Sequence, residues 1–482
     1  MRERSAMITD LKPYTEYKES ELPWLRQMPK HWAHRRMKFL FKERVEKGFP
    51  DEPLLAATQS KGVVRKEDYG SRTVTATKDF HLLKLVDIGD FVISLRSFQG
   101  GIEVAHCRGI ISPAYTILAP RHGVNRSYYS RLFKSRDFIN SLTLFITGIR
   151  EGQSIDYERL SRAYMPLPSD EEQAAIGKFL DWANGRLERT IRAKRKVIAL
   201  LTEQKQAIIH RAVTRGLDPT VPLKPSGIPW LSDIPQHWEV LQVRRVVSFV
   251  TSGSRSWANY YSAAGLIFLQ SGNLGRAMSL NLSFIQYVRP PAGAEGVRTR
   301  VQTNDVLVCI TGALTGNVAL VDQELCAPAF INQHVALVRP RQHMIQPRFL
   351  AYVLHSEIGR TQFKTNEYGG TKQGLGLGDV KNVFLAAPPM EEQRMICAHL
   401  DGEVEKFRDA ISRLEREIEL LREYRTRLVA DVVTGKLDVR EAASRLPHEI
   451  EGQETLGNEA ALSEYDEPEE DDPYAVAGET EA

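Results

Sequence analysis

The chain has 482 residues, of which 42% are hydrophobic and 26% charged, enough apolar material for several cores. No run of about 18 or more apolar residues occurs, so no membrane span is expected, and the opening stretch Met1–Tyr14 lacks the apolar centre of a secretory leader. The formal charge of +3 hides an asymmetry: residues 449–482 hold thirteen acids and no Lys or Arg, leaving 64 basic against 48 acidic groups, +16, in residues 1–448. A basic body invites an anionic partner such as nucleic acid, although a moderately basic surface can also be no more than that.

Taken in order, the chain reads as a duplicated unit. Near the start stands Pro23-Trp-Leu-x3-Pro29-x-His31-Trp32, and the same pattern, P-W-L-x3-P-x-H-W, returns from Pro229 to Trp238 at an offset of 206. A second match runs ungapped from Glu171 to Asp218 against Glu391 to Asp438, at an offset of 220. Such self-similarity signals repeated architecture. The expected segments are a first globular domain over 1–169, a long helix over 170–218, a linker and second globular domain over 219–389, a second long helix over 390–440, and an acidic tail over 441–482 expected to be disordered.

The globular segments carry short β-branched runs such as Phe91–Leu95, Gly109–Ser112, Val306–Ile310 and Val335–Val338, separated by Gly, Asn and Asp. They predict a mixed α/β (α+β) fold. Pro219, Pro222, Pro225 and Pro229 predict an extended linker into the second half.

Both long segments repeat apolar residues at steps of three and four. In the first the stripe is Ile176, Leu180, Leu187, Ile191, Ile198, Leu201 and Ile208. In the second it is Ile396, Leu400, Phe407, Ile411, Leu414, Ile418, Leu421 and Leu428. Neither segment contains proline, and Pro168 and Pro389 stand just before them. A helix with one narrow apolar stripe needs a partner, and each copy offers the other. The pair is expected to form an antiparallel coiled coil; the alternative is that each helix packs on its own globular domain.

Catalytic machinery is hard to find. There is no G-x4-G-K-[ST] loop and no H-E-x-x-H. Asp471-Asp-Pro-Tyr474 superficially resembles an adenine-methyltransferase motif but lies in the acidic tail, and Glu203-Gln-Lys205, the E-x-K of many nucleases, falls mid-helix. Cys107, Cys309, Cys326 and Cys397 are scattered singly, which argues against a zinc site or a disulfide framework and suits a reducing cytoplasm. No catalytic residue, metal site or bound cofactor is expected in this chain.

Over residues 11–440 the order of motifs resembles the specificity subunits of type I restriction-modification systems. The resemblance is carried by Leu54–Ala56 through Gly62–Arg65, Asp87–Ile93, Gly109-Ile-Ile-Ser112-Pro-Ala-Tyr115, Gly148-Ile-Arg-Glu-Gly-Gln153, and Met165-Pro-Leu-Pro168 with Glu172-Gln173. A more divergent second set is Asn304–Leu307, Ile331-Asn-Gln-His334 and Pro388-Pro-Met-Glu-Glu-Gln393. The tail after Asp438 is outside the family pattern.

The resemblance implies that each globular domain reads one half of a bipartite, asymmetric site in double-stranded DNA. The paired helices would set the spacer and dock two modification subunits that bind S-adenosylmethionine. Two motor-nuclease restriction subunits using ATP and magnesium would complete the complex. Base reading needs donors and acceptors at loop tips. The candidates are Arg96, Ser97, Gln99, Arg150 and Gln153 in the first half, and Thr311, Thr315, Asn317, Lys372 and Gln373 in the second. A rival reading is a coiled-coil scaffold that binds proteins without sequence-specific DNA readout. On the resemblance, the pure chain should neither methylate nor cut DNA; steady turnover with S-adenosylmethionine, or with ATP and magnesium, would contradict this.

Overall fold

The structure is a computed structural model that describes residues 11–59, 61–69, 79–94, 97–147, 154–253, 257–275, 277–290, 296–366 and 374–446. The chain divides into two compact units. Unit 1 is 1–190 together with 420–482, and unit 2 is 191–419.

Unit 1 is built on a four-stranded antiparallel sheet of β1 (Phe41–Arg44), β2 (Phe91–Ile93), β3 (Glu103–Val104) and β4 (Thr116–Pro120), in the order β1-β4-β2-β3. The strands are short and almost wholly apolar where central: Phe91, Val92, Ile117 and Leu118 are fully buried. Two helices, Arg126–Phe133 and Arg136–Leu142, cover the sheet. Their first turns are closed by Asn125 and Ser135, whose side-chain oxygens accept from Tyr128 N–H and Phe138 N–H. Tyr129 and Phe133 pack edge-on or tilted against Phe41, and Phe133 meets Phe91 edge-on, forming an aromatic core.

Unit 2 repeats this plan. Strands β5 (Val247–Ser252), β6 (Val306–Cys309), β7 (Val318–Leu320) and β8 (Val335–Pro340) take the order β5-β8-β6-β7, the same permutation, again antiparallel. Helices Pro347–His355 and Glu357–Asn366 take the places of the unit 1 pair. The units diverge beside this scaffold. Unit 1 carries the hairpin Leu55–Thr58/Gly62–Arg65 and the pair Lys84–Val86/Gly109–Ile111. Unit 2 carries a second four-stranded sheet in which Leu266–Leu269 runs parallel to Ala329–Ile331.

The proline-rich stretch after the first long helix is not simply a linker. Leu223–Pro225 pairs antiparallel with Asp233–Pro235, the counterpart of the Tyr17–Leu22/Leu25–Pro29 hairpin. Leu231, Ile234 and Trp238 carry this hairpin into the core of unit 2. The tail likewise begins later than residue 441. Arg440–Ser444 is helical, and Ala443 and Leu446 are buried in unit 1 because they are apolar positions on a short amphipathic turn.

The long helices run from Asp170 to Arg215 and from Met390 to Val433. Acidic residues in the first turns, Asp170, Glu171 and Glu172, and Glu391 and Glu392, favour those ends electrostatically. In unit 1 the beginning of the first helix, Ile176, Phe179, Leu180 and Ala183, shares a core with Leu428, Val432 and Val433 from the end of the second; Glu188 pairs with Arg425 at 2.8 Å. In unit 2 the end of the first helix, Ile209, Ala212 and Val213, shares a core with Ile396 and Leu400 from the beginning of the second, and Lys194 pairs with Glu417. Within each unit the two helices are therefore antiparallel neighbours. They also pack on their globular partners, so both expected modes of burial occur. Of the stripe, Leu187, Ile191 and Ile418 are buried, whereas Ile198, Leu201, Ile208, Phe407, Ile411, Leu414 and Leu421 are half-buried, as a two-helix seam leaves them.

One anchor is made twice. Gln173 donates to the Pro168 and Gly123 carbonyls and accepts from Asn125 N–H at 3.0 Å; Gln393 donates to Pro388 and Met344 and accepts from Gln346 N–H at 2.8 Å. Beside them Glu172 meets His31 at 2.9 Å and Glu392 meets His237 at 2.8 Å. Trp32 and Trp238 are buried against these helix starts and the opposite helix's end. Gly216 (φ +71°) and Gly435 (φ +76°) terminate the long helices in the left-handed region. A Cβ on Gly435 would stand 2.4 Å from Pro29 and 3.0 Å from Trp32; one on Gly216 would stand 3.0 Å from Glu392 and 3.2 Å from Trp238.

Truncating Trp238 to Ala should lower the unfolding free energy of the full chain by about 3–5 kcal/mol. Gln393→Leu, which strands the Gln346 amide and the Pro388 carbonyl, should cost about 1–3 kcal/mol. Denaturant unfolding measures both, and a Gln393→Leu protein as stable as the parent would remove the anchor role.

Candidate nucleic-acid interface

The described sequence candidates, Gln99 in unit 1 and Thr311, Thr315 and Asn317 in unit 2, fall at one end of each unit's four-stranded sheet. In unit 2 the turn 310–317 joins β6 to β7, and it is held from within. Thr315 donates its hydroxyl to the Gly312 carbonyl at 2.6 Å, Asn317 N–H bonds Leu314, and the Asn317 carbonyl accepts from Cys309. The Asn317 amide reaches back toward the Leu274 carbonyl at 3.5 Å. Thr315 and Asn317 thus build the turn that presents the tip. Thr311 stands at the tip itself: its hydroxyl contacts His334 Nδ1, and its backbone bridges Gly374. Ile310 N–H bonds the His334 carbonyl, and Leu375 N–H bonds Ile310.

Three segments distant in sequence therefore converge: 310–317, 332–334 and the residues leading from 374. Gln333 and His334 are exposed there, 3.2 Å apart at Nε2, with His334 N–H anchored on the Asn332 side chain at 3.0 Å. Sequence reasoning did not single these two out as reading residues. The signal was a polar Asn-Gln-His tip between two apolar strands.

Unit 1 has the equivalent arrangement. The short helix Ser97–Gly100 follows β2, and it packs beside Ser154–Ile155. Gln99 is exposed on it. Thr116 lies opposite Ile93 at this sheet end. The Ser112 hydroxyl accepts from Ala114 N–H at 3.4 Å, in the same position as the Asn332 turn. Arg96, Arg150, Gln153, Lys372 and Gln373 lie outside the described residues, as does the side chain of Ser97.

Below the tips, each unit positions its second scaffold strand with a buried carboxylate. Asp90, just before β2, accepts from Asp87 N–H and pairs with Arg44 at 2.7 Å; Asp305, just before β6, accepts from Gln302 N–H and pairs with Arg339 at 2.7 Å. Burial pushes the Asp90 carboxyl up, against the lowering by Arg44 and by the Asp87 amide. These aspartates belong to the framework rather than to a reactive centre.

Elsewhere the two units diverge in charge. In unit 1, Lys134 spans the Gln59 and Gly100 carbonyls and the buried Glu103, whose carboxyl is pushed up to about 7 by burial against the opposing effect of Lys134. At the matching place in unit 2, His355 is pushed down to about 4 by burial, reinforced by Arg360 and Lys205. Among the described residues no group of three or more His, Cys, Asp or Glu side chains is arranged to hold a metal ion, and no helix is long and apolar enough to cross a membrane. What the tips offer is hydroxyl, amide and imidazole groups on short, rigidly held turns, the chemistry of hydrogen bonding to base edges.

Residues 297–420 match the family described as the type I restriction modification DNA specificity domain. The chain is 23% identical over 284 residues to the type I restriction enzyme EcoBI specificity subunit of Escherichia coli, an alignment covering 56% of this chain and 58% of that relative's length. A solved chain from a study of complex assembly and conformational transition of the type I R-M system has 17% identity and a TM-score of 0.62, covering 85% of this chain and 99% of that one. The HsdS subunit from Thermoanaerobacter tengcongensis has 17% identity over 85% of this chain and 98% of its own, with a TM-score of 0.45. Residues 297–420, which span the tip, the helices and the coil entry of unit 2, thus match a type I restriction modification DNA specificity domain, and the strand order of that unit's scaffold is repeated in unit 1.

Proposed function

We propose that each unit reads one half of a bipartite DNA site through the tips at the end of its four-stranded sheet. The observation that carries this reading is the repeated sheet order, β1-β4-β2-β3 and β5-β8-β6-β7, with polar tips at the same end in both units and a different surrounding fold in each. A common frame with divergent edges is what two related but non-identical half-sites require. Thr311, Gln333 and His334 in unit 2, and Gln99 in unit 1, are the described side chains to which this reading assigns base contacts.

Methyl transfer and cleavage are assigned to partners: two modification subunits carrying S-adenosylmethionine and two restriction subunits using ATP and magnesium. The long helices offer those partners a docking surface, since both run from one unit into the other and expose a charged outer face. By the same continuity they set the spacer. The chain binds no cofactor of its own in this scheme and works in a prokaryotic cytoplasm.

Replacing residues 226–389 with the corresponding domain of a relative should change one half of the methylated motif and leave the other intact, as read by methylation mapping of the host genome. A change in both halves would defeat the modular reading, and a complex that methylates without sequence preference would favour the scaffold alternative.

Inserting one heptad into each long helix, near Ile198 and near Ile418, adds about 10 Å of helix while keeping the stripe in register. The unspecified gap should then lengthen by about one to three base pairs, at about 3.4 Å per step, with unchanged half-sites. An active complex with the original gap would show that spacing is set elsewhere.

A further inference from the structure

At the sheet end opposite the tips, unit 1 carries a strip of exposed cations: Arg35, Arg36, Lys38, Lys42, Arg121 and Arg159. The strip is continuous in the fold. Arg35 and Arg36 lie on the strand Ala33–Arg36, paired with Tyr164–Leu167. Lys38 follows in the turn of helix Met37–Leu40, and Lys42 on β1. Arg121 N–H bonds the Leu40 carbonyl, and the helix Tyr157–Arg162, which carries Arg159, packs on Met37–Leu40. Pro120 stands opposite Phe41 here, four residues along β4 from the Thr116–Ile93 pair beside the tips. Arg36 lies over the Tyr164 ring and Lys38 over Phe39. No carboxylate among the described residues is in ion-pair range of Arg35, Lys38, Lys42, Arg121 or Arg159; the nearby acids are exposed Glu43, Glu158, which is taken by Arg162, and Asp156, which accepts from the Arg159 backbone N–H at the start of its helix.

The duplication supplies an internal control. At the matching positions unit 2 has Leu241, Gln242, Ser248 and Asp379 in place of Arg35, Arg36, Lys42 and Arg159; it keeps Arg244 and Arg341, and carries Arg245 where unit 1 has Phe39 and Lys381 where unit 1 has Ser161. The strand cations Arg35, Arg36 and Lys42 are thus peculiar to unit 1, the unit from which the acidic tail departs. The last described residue, Leu446, is buried in unit 1, and its carbonyl accepts from Lys178 Nζ at 3.1 Å. Lys178 lies about 12 Å into the first long helix at 1.5 Å per residue, and that helix directly follows the strand paired with Ala33–Arg36. From Leu446 the chain continues for 36 residues with thirteen acids and no Lys or Arg. Its reach is at most on the order of 120 Å.

We propose that the acidic segment 449–481 docks on the Arg35–Lys42 strip of unit 1, covering it with this chain's own carboxylates. The contact is electrostatic and sensitive to salt, and it keeps a basic surface away from the tips from drawing in DNA of any sequence.

Zero-length carbodiimide cross-linking of the full chain, read by peptide mass spectrometry, tests this. Amide links from Lys38 and Lys42 to carboxylates of 449–481 are expected at low salt. They should disappear at about 1 M salt, where the screening length is about 3 Å. In the full chain carrying R35E, R36E and R121E both lysines remain, yet the same links should fall several-fold. Asn and Gln substitutions at the acids of 464–472 serve as a second variant that leaves the folded units untouched; links from the remaining tail acids Glu449, Glu451, Glu454, Glu459, Glu479 and Glu481 to Lys38 and Lys42 should then fall several-fold. Tail links spread evenly over Lys38, Lys42 and the lysines of unit 2 such as Lys224 and Lys381, or links unchanged by the charge reversals, would overturn the proposal. So would reversals that weaken binding of a random-sequence duplex several-fold while leaving the tail links intact, since the strip would then be a DNA surface.

Discussion

The structure depends on how each long helix is seated. A helix of this length with one narrow stripe cannot position itself, because its seam is only half-buried along much of its course. Its ends are therefore fixed by the globular units. In unit 1 the entry of the first helix and the exit of the second meet around Trp32, Glu172, His31 and Gln173, and Tyr128 donates to the Val433 carbonyl at 2.9 Å. Unit 2 reverses the assignment, with the entry of the second helix and the exit of the first meeting around Trp238, Glu392, His237 and Gln393. Unit 1 accordingly needs both termini of the folded chain. Asp438 N–H bonds the Lys12 carbonyl, and Tyr14 donates to Glu172 at 2.5 Å.

Several motifs that carry the family resemblance turn out to be framework. The E-Q pair seats a helix, the aspartate before the second strand closes a turn and receives an arginine, and Ser112 and Asn332 hold the turn that leads into the last strand. Such side chains are buried or make local hydrogen bonds. The groups left over for recognition are those at exposed tips, where the two units differ from each other. This division lets the tips vary without disturbing the frame.

The arginine partners of the two framework aspartates illustrate how loosely sequence alignment tracks such a frame. Asp90 takes Arg44 from β1, whereas Asp305 takes Arg339 from β8. The charge is supplied from neighbouring strands, and the geometry is the same because those strands pair. Likewise Lys134 with Glu103 in unit 1 and neutral, buried His355 in unit 2 solve the same packing problem with different ionisation.

The sequence by itself determined the duplication, the two long helices and the mixed character of the globular regions. Those features are written in local or periodic signals: a repeated P-W-L-x3-P-x-H-W, a three-four spacing, prolines just before each helix, and β-branched runs between turn residues. It read the proline-rich stretch 219–229 as linker because proline counts locally as a breaker, yet Leu231, Ile234 and Trp238 fold it into a core that lies far away in sequence. Polarity at a strand end is likewise visible at Thr315 and Asn317, but the Gly312 and Leu274 carbonyls that they bind are not. Only the tertiary structure decided the strand order 1-4-2-3, the convergence of Thr311, His334 and Gly374, and the framework role of Gln173 and Gln393. Each of these depends on pairing between segments tens to hundreds of residues apart, and that register is set by burial of whole faces rather than by any residue's own preference.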